Sequence, residues 1–115
     1  MLGDLSEIHG MKPAQMRKLR SSAKTACGLL SALAHEDRLL LLCQIAHGEH
    51  SVGELEELLD IRQPSLSQQL GVLREEGLVT TRREGKHIYY QIDSPATLAV
   101  MGVLFEHFCE TKECN

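Results

Sequence analysis

A mainly helical fold carrying one small β-hairpin is what this sequence predicts, and three observations predict it. Apolar residues, chiefly leucine, recur at three- and four-residue steps through most of the chain, the spacing that lines one face of an α-helix. Aromatic side chains are few, Tyr89, Tyr90, Phe105 and Phe108 with no tryptophan, so the core must be built mainly from leucine, which favours helices. Only across 78–92 does the period change, to β-branched and aromatic residues on both sides of a glycine. A chain of 115 residues is most simply one domain, because a core of this size folds alone and leaves little sequence for a second.

Residues 1–12 read as a flexible N-terminus, and the domain as 13–115. From Pro13 to Leu33, Met16, Leu19, Ala23, Ala26, Cys27, Leu30 and Leu33 repeat at helical steps with Arg17, Lys18, Arg20 and Lys24 between them, an amphipathic first helix. After a break at His35, Glu36 and Asp37 stand where a helix dipole favours acids, and "RLLLLCQIAHG" carries a second helix to Gly48. It is apolar nearly all round and is therefore expected to be buried. Ser51 and Glu54 have the spacing of a capping box for a short third helix with Leu55, Leu58 and Leu59 as its inner face. Pro64 suits the first position of a fourth helix whose stripe is Leu66, Leu70 and Leu73 and which Gly77 stops. Two short helices joined by a tight turn, about 51–76, form a helix-turn-helix pattern.

The hairpin, about 78–92, is expected to turn at Glu84-Gly85 and carries Arg82, Arg83 and Lys86 near its tip. Asp93-Ser94-Pro95 then caps a last helix, about 95–110. Its Leu98, Met101, Val103, Leu104, Phe105 and Phe108 are too apolar for a helix standing alone on a small domain, so it needs a partner surface.

Composition excludes several classes. No stretch approaches the roughly 18 apolar residues of a membrane span, and Asp4 and Glu7 stand where a secretory signal would carry positive charge, so the expectation is a cytoplasmic protein with no membrane role. Cys27, Cys43, Cys109 and Cys114 contain no C-x-x-C pair, which removes zinc-ribbon and thioredoxin-type motifs and leaves free thiols as the default in a reducing compartment. The net charge of −4 hides segregation: acids cluster at Glu54, Glu56, Glu57 and Asp60, whereas 61–91 and the first thirty residues are net basic.

A helix in the major groove presents about two turns to base edges, where Gln and Ser donate and accept hydrogen bonds and Arg adds bidentate or phosphate contacts. On the fourth helix Ser65, Gln68 and Gln69 lie off the leucine stripe, Gln63 and Ser67 flank its first turn, and Arg74 follows. Taken alone this could equally be a solvated surface helix. The preceding helix, the turn and the basic hairpin tip together make a winged helix, whose wing lies along the phosphate backbone or minor groove of double-stranded DNA.

Residues 30–92 resemble the ArsR/SmtB family of bacterial winged-helix repressors, through "ALAHEDRLLLL", "VGELEELL", "QPSLSQQLGVLREEGLV" and "TRREGKHIYYQI". The resemblance implies a DNA-binding repressor and not an enzyme, dimeric through its first and last helices, with Leu19, Leu30, Leu98, Met101, Phe105 and Phe108 at the homodimer interface. Two-fold symmetry then implies a near-palindromic operator with half-sites about one helical turn, ~10 bp, apart.

Many members of that family bind metal, but the positions do not carry over. Where arsenic and cadmium sensors have two cysteines this chain has Ser51 and Gly53, and the zinc-sensor pattern begun at Asp93 falls on Pro95, Glu106 and Cys109. Cys43, His47 and His50 could form a local alternative, or be a buried thiol beside two surface histidines. No metal or other cofactor is expected. Cys43 and Cys109 do match the positions at which the persulfide- and redox-responsive branch, the BigR, SqrR and HlyU type, carries its cysteine pair. The resemblance thus implies a redox-sensing pair with reactive sulfur species or other thiol oxidants as effector, provided the last helix passes beside the second. The other reading of both residues is as small buried hydrophobes. Reactivity needs thiolate, for which His107 is the nearest positive candidate. Cys27 reads as core or dimer packing and Cys114 as incidental, and the Cys109–Cys114 spacing permits a competing local bridge. The rival functions are a metal-responsive repressor, a small thiol enzyme using Cys43 or Cys109, and a winged helix that binds protein instead of DNA.

Overall fold

The computed structural model describes residues 10 and 12–109. They form α1 (Pro13–Leu33), α2 (Glu36–Ile45), β1 (His50–Ser51), α3 (Val52–Leu59), α4 (Ser65–Glu75), β2 (Val79–Glu84), β3 (His87–Ile92) and α5 (Pro95–Phe108). The expected fold class, mainly helical with a small β wing after a helix-turn-helix, is the one observed.

Each helix begins where a side chain can satisfy its orphan N–H groups. The Lys12 N–H donates to Gln15 Oε1 at 2.9 Å before α1, and His35 Nδ1 accepts from the Asp37 N–H at 3.2 Å before α2. The Ser51–Glu54 capping box is closed in both directions, at 2.8 and 3.2 Å. Ser94 Oγ accepts from the Thr97 N–H at 3.1 Å, opening α5 with Pro95 behind it. Helix α4 ends in a Schellman closure: the Leu78 N–H donates to the Leu73 carbonyl, the Gly77 N–H to that of Arg74, and Gly77 takes φ +77°.

The core is leucine, as composition requires. Leu41, Leu42 and Ile45 of α2 meet Leu55 of α3, Leu66, Leu70 and Leu73 of α4, and Leu78 and Val79 at the start of the wing. Ala32 and Leu33 close it from α1 and Met101 from α5. Fully burying one such leucine contributes about 1.5–3 kcal/mol, so the α2–α3–α4 cluster dominates the fold.

Several details differ from expectation. Helix α2 is not buried all round, since Leu40 is 41% exposed, and Leu58 of the supposed inner face of α3 is 56% exposed. At eight residues α3 covers the core with Leu55 and with parts of Val52 and Leu59. Pro64 is the cap preceding α4 instead of its first helical residue. The hairpin turns at Gly85-Lys86, one residue later than expected, because Glu84 pairs with His87; Gly85 supplies the positive φ, +63°. A third strand, β1, was not expected. His50 and Ser51 pair with Tyr90 and Tyr89, giving the antiparallel order β1-β3-β2 and fixing the wing to the start of α3. A two-residue strand has too little sequence to show alternation. The last helix stops at Phe108, with Cys109 as its cap.

Candidate nucleic-acid interface and cysteine cavity

The leucine stripe of α4 faces the core, which leaves the other side of that helix to solvent. Gln68 and Ser67 are exposed, and Ser65 and Gln69 are partly buried on the flank. The side chains of the proposed reading face are not equivalent. Gln63 Oε1 accepts from both the Ser67 N–H at 3.1 Å and the Ser67 hydroxyl at 2.7 Å, so Gln63 and Ser67 secure the first turn of α4. Gln69 Oε1 accepts from Arg38 Nη1 at 2.8 Å. Gln68 and Ser65 have no such tie among the described residues, and Arg74 lies exposed in the last turn.

The basic residues of the wing also divide. Arg82 is in the body of β2, where Nε and Nη2 grip the Glu49 carboxylate at 2.6 and 2.9 Å, Nη1 donates to Glu84 at 2.8 Å, and the guanidinium lies 4.7 Å from the centre of the Tyr89 ring. Its hydrogen bond holds the Glu49 carboxyl below its ordinary pKa. Arg82 therefore joins the wing to the loop after α2. Arg83 and Lys86 are exposed, with Lys86 at the tip, and are the wing cations left to meet a phosphate.

Helix α5 does pass beside α2. Cys43, Ala46 and His47 of the α2 end and Leu98, Met101, Gly102, Phe105 and Glu106 of α5 line an open cavity of about 300 Å³. The His47 and Phe105 rings meet edge to face, 5.5 Å between centres, and His47 Nδ1 is 2.8 Å from the Cys43 carbonyl oxygen. Cys43 is a free, half-buried thiol, and burial pushes its pKa up. It is thus not bonded to Cys109, which sits three residues beyond Glu106 and is itself disulfide-bonded. The Cys109–Cys114 bridge considered from the sequence lies outside the described residues, as does Cys114. Cys27 is exposed on α1 and lies outside the buried core.

Of the residues assigned to a dimer face, Leu19, Leu30, Leu98 and Phe108 are exposed, the last at 82%. Met101 is not available: at 3% exposure it packs into its own core, because it lies on the side of α5 that meets α2. Phe105 is half-buried against His47. Among the described residues no cluster of three His, Cys, Asp or Glu side chains could hold a metal, and no helix is long and apolar enough to cross a membrane.

Residues 35–81, from the cap of α2 to the wing, match the bacterial regulatory protein arsR family. Over 85 residues the chain is 55% identical to the biofilm growth-associated repressor of Agrobacterium fabrum, covering 74% of this chain and 73% of that protein. Among solved structures, reduced HlyU from Vibrio cholerae superposes with a TM-score of 0.78 at 38% identity, over 81% of this chain and 98% of the other. The transcriptional repressor BigR from Xylella fastidiosa does so with 0.75 at 44% identity, over 86% and 98%. The chain therefore belongs to the arsR family of bacterial regulatory proteins, as a winged helix-turn-helix transcriptional regulator and not an enzyme.

Proposed function

We propose that this protein is a homodimeric repressor that reads a near-palindromic operator with α4 and releases it when oxidation or persulfidation couples Cys43 to Cys109. The observation that carries the switch is the cavity between α2 and α5: Cys43 stands in its α2 wall and Phe105 in its α5 wall, and Cys109 caps α5 one helical turn beyond Phe105. The family membership and the repressor names of two relatives support the DNA-binding half.

In this reading Ser65, Gln68 and Gln69 face base edges, while Arg74, Arg83 and Lys86 contact phosphates and set the register. Gln63 and Ser67 contribute through the first turn of α4, and Arg82 through the wing. Exposed Leu19 and Leu30 of α1 and Leu98 and Phe108 of α5 supply the face that a second copy covers. The two α4 helices must then lie one groove repeat, about 34 Å, apart.

Coupling the two sulfurs would fix the C-terminal dimer helix to the helix that feeds the helix-turn-helix, and so favour one dimer spacing. Forming the disulfide removes two electrons and two protons from the reduced thiols. A persulfide donor takes them and leaves as its thiol and hydrogen sulfide. A difference of about 1–3 kcal/mol between the two spacings changes operator affinity roughly 5- to 150-fold.

The test is mass spectrometry of the reduced full chain after a persulfide donor, read beside operator binding on the same sample. The expected result is a species linking the Cys43 and Cys109 peptides, formed in step with loss of affinity. Cys43→Ser and Cys109→Ser should each bind like the reduced wild type and ignore the donor. A response that persists in Cys109→Ser removes the pair assignment, and binding to duplexes that does not weaken as salt rises removes the DNA-binding half.

A further inference from the structure

Arg38, in the first turn of α2, makes three hydrogen bonds that cross between elements. Nε donates to the Ala32 carbonyl at 2.7 Å and Nη2 to the Ser31 carbonyl at 3.4 Å, both at the end of α1. Nη1 donates to Oε1 of Gln69, on the flank of α4, at 2.8 Å. A guanidinium has donors only, so the amide atom that faces it has to be the oxygen. A glutamine free on a helix surface can turn its amide over, whereas Gln69 would give up a charge-assisted bond to do so. Among the described residues its Nε2 hydrogens have no partner, and the side chain is only partly buried.

We propose that Arg38 fixes the Gln69 amide so that Gln69 meets base edges with its Nε2 donors, and so selects guanine over adenine at its base pair. This rests on α4 being the groove helix. An unrestrained glutamine pairs with adenine in two bonds, accepting from N6–H and donating to N7. The oxygen keeps a second lone pair, but its bond to Arg38 sets the plane of the amide, so the two-bond adenine geometry is no longer free to form; guanine, which offers the two acceptors N7 and O6 side by side, is the purine edge that the unpartnered Nε2 hydrogens fit. Arg38 is a positioning residue in this scheme, since it meets no base itself.

Selection from a randomised duplex by the reduced full chain, followed by titration of single-base variants, tests the assignment. In the wild type, one position per half-site should prefer guanine to adenine by about tenfold, and 7-deazaguanine there should weaken binding. Gln69→Glu keeps an oxygen for Arg38 but has no N–H to donate, and should lose that preference with its far-UV circular dichroism unchanged. Arg38→Met frees the amide and should move the preference at that position towards adenine, with other positions and the salt dependence unaltered. If Arg38→Met does not fold, Gln69→Glu decides alone. Retention of the wild-type guanine preference in Gln69→Glu overturns the inference, as does an adenine preference in the wild type that Gln69→Ala abolishes. Gln68→Ala separates the two levels. If it relaxes another position while the Gln69 and Arg38 variants change nothing, only this inference fails; if neither glutamine alters any position, the groove assignment of α4 fails with it.

Discussion

At the scale of single residues, partners divide side chains that look alike in the sequence. Arg82, Arg83 and Lys86 form one basic run, yet Arg82 is held by two carboxylates and an aromatic face while the other two stand in solvent. Arg83→Ala and Lys86→Ala should therefore weaken binding to all operators alike and flatten the slope of log K against log salt by about one each, measured by titration at several salt concentrations. Arg82→Ala should act mainly by loosening the wing. The Glu49 carboxyl titrates below its ordinary 4.5 because Arg82 bonds its charged form. The stability this adds is present above 4.5 and disappears as pH falls through the lower folded value, so circular dichroism of Glu49→Gln should show less acid sensitivity than the wild type in that window. Cys43 runs the other way. Burial raises its pKa above 9.0, so it is a poor nucleophile at neutral pH, and its alkylation rate in the native protein should still be climbing at pH 9, where an ordinary thiol is already half ionised. A rate that levels off below pH 8 would show a thiolate stabilised by something other than the groups around this cavity.

At the scale of elements, what local rules specify was legible and what tertiary pairing specifies was not. The bounds of α1, the capping box of α3, the leucine stripe of α4 and its glycine stop all follow from residues within a few positions of one another. Strand β1 exists only because Tyr89 and Tyr90, nearly forty residues away, offer it a ladder. Leu40 and Leu58 share the pattern of buried leucines, but whether a leucine is covered depends on where the next helix lies. In the same way, the amide-rich face of α4 was evident, whereas the ties of Gln63 to Ser67 and of Gln69 to Arg38 needed the geometry. The local rules make their own prediction. At Gly77 an added Cβ meets nothing within 4 Å but the backbone keeps φ +77°, so Gly77→Ala should cost about 1–2 kcal/mol through conformation alone. Ser51→Ala should cost about 0.5–2 kcal/mol through the lost cap. Both are read from urea unfolding midpoints at equal protein concentration, and a neutral Gly77→Ala would show that the Schellman closure does not fix the end of α4.

At the scale of the whole molecule, a single copy of the chain leaves much apolar surface uncovered. Its radius of gyration is 16.8 Å and its longest dimension 54 Å, whereas a compact domain of this length has a radius of about 13 Å. Most of α1 touches little of its own chain, its residues from Pro13 to Cys27 being exposed, and α5 leaves Leu98, Val103 and Phe108 uncovered. Two amphipathic helices with open apolar faces on one small domain are what a second copy would cover, at the roughly 1,200–2,000 Å² typical of a stable interface. Assembly and operator reading should then fail together. Phe108→Asp and Leu30→Asp put a charge on the exposed side of each helix without touching the core, so their far-UV circular dichroism should match the wild type. Sedimentation should show the wild type as a dimer at micromolar concentration and the variants shifted to monomer. Affinity for a two-half-site duplex should fall towards that for a single half-site, because each α4 then binds without the other held one groove repeat away. A wild type that sediments as a monomer and still distinguishes two half-sites from one would leave these apolar faces without an occupant, and the cysteine cavity with no dimer spacing to control.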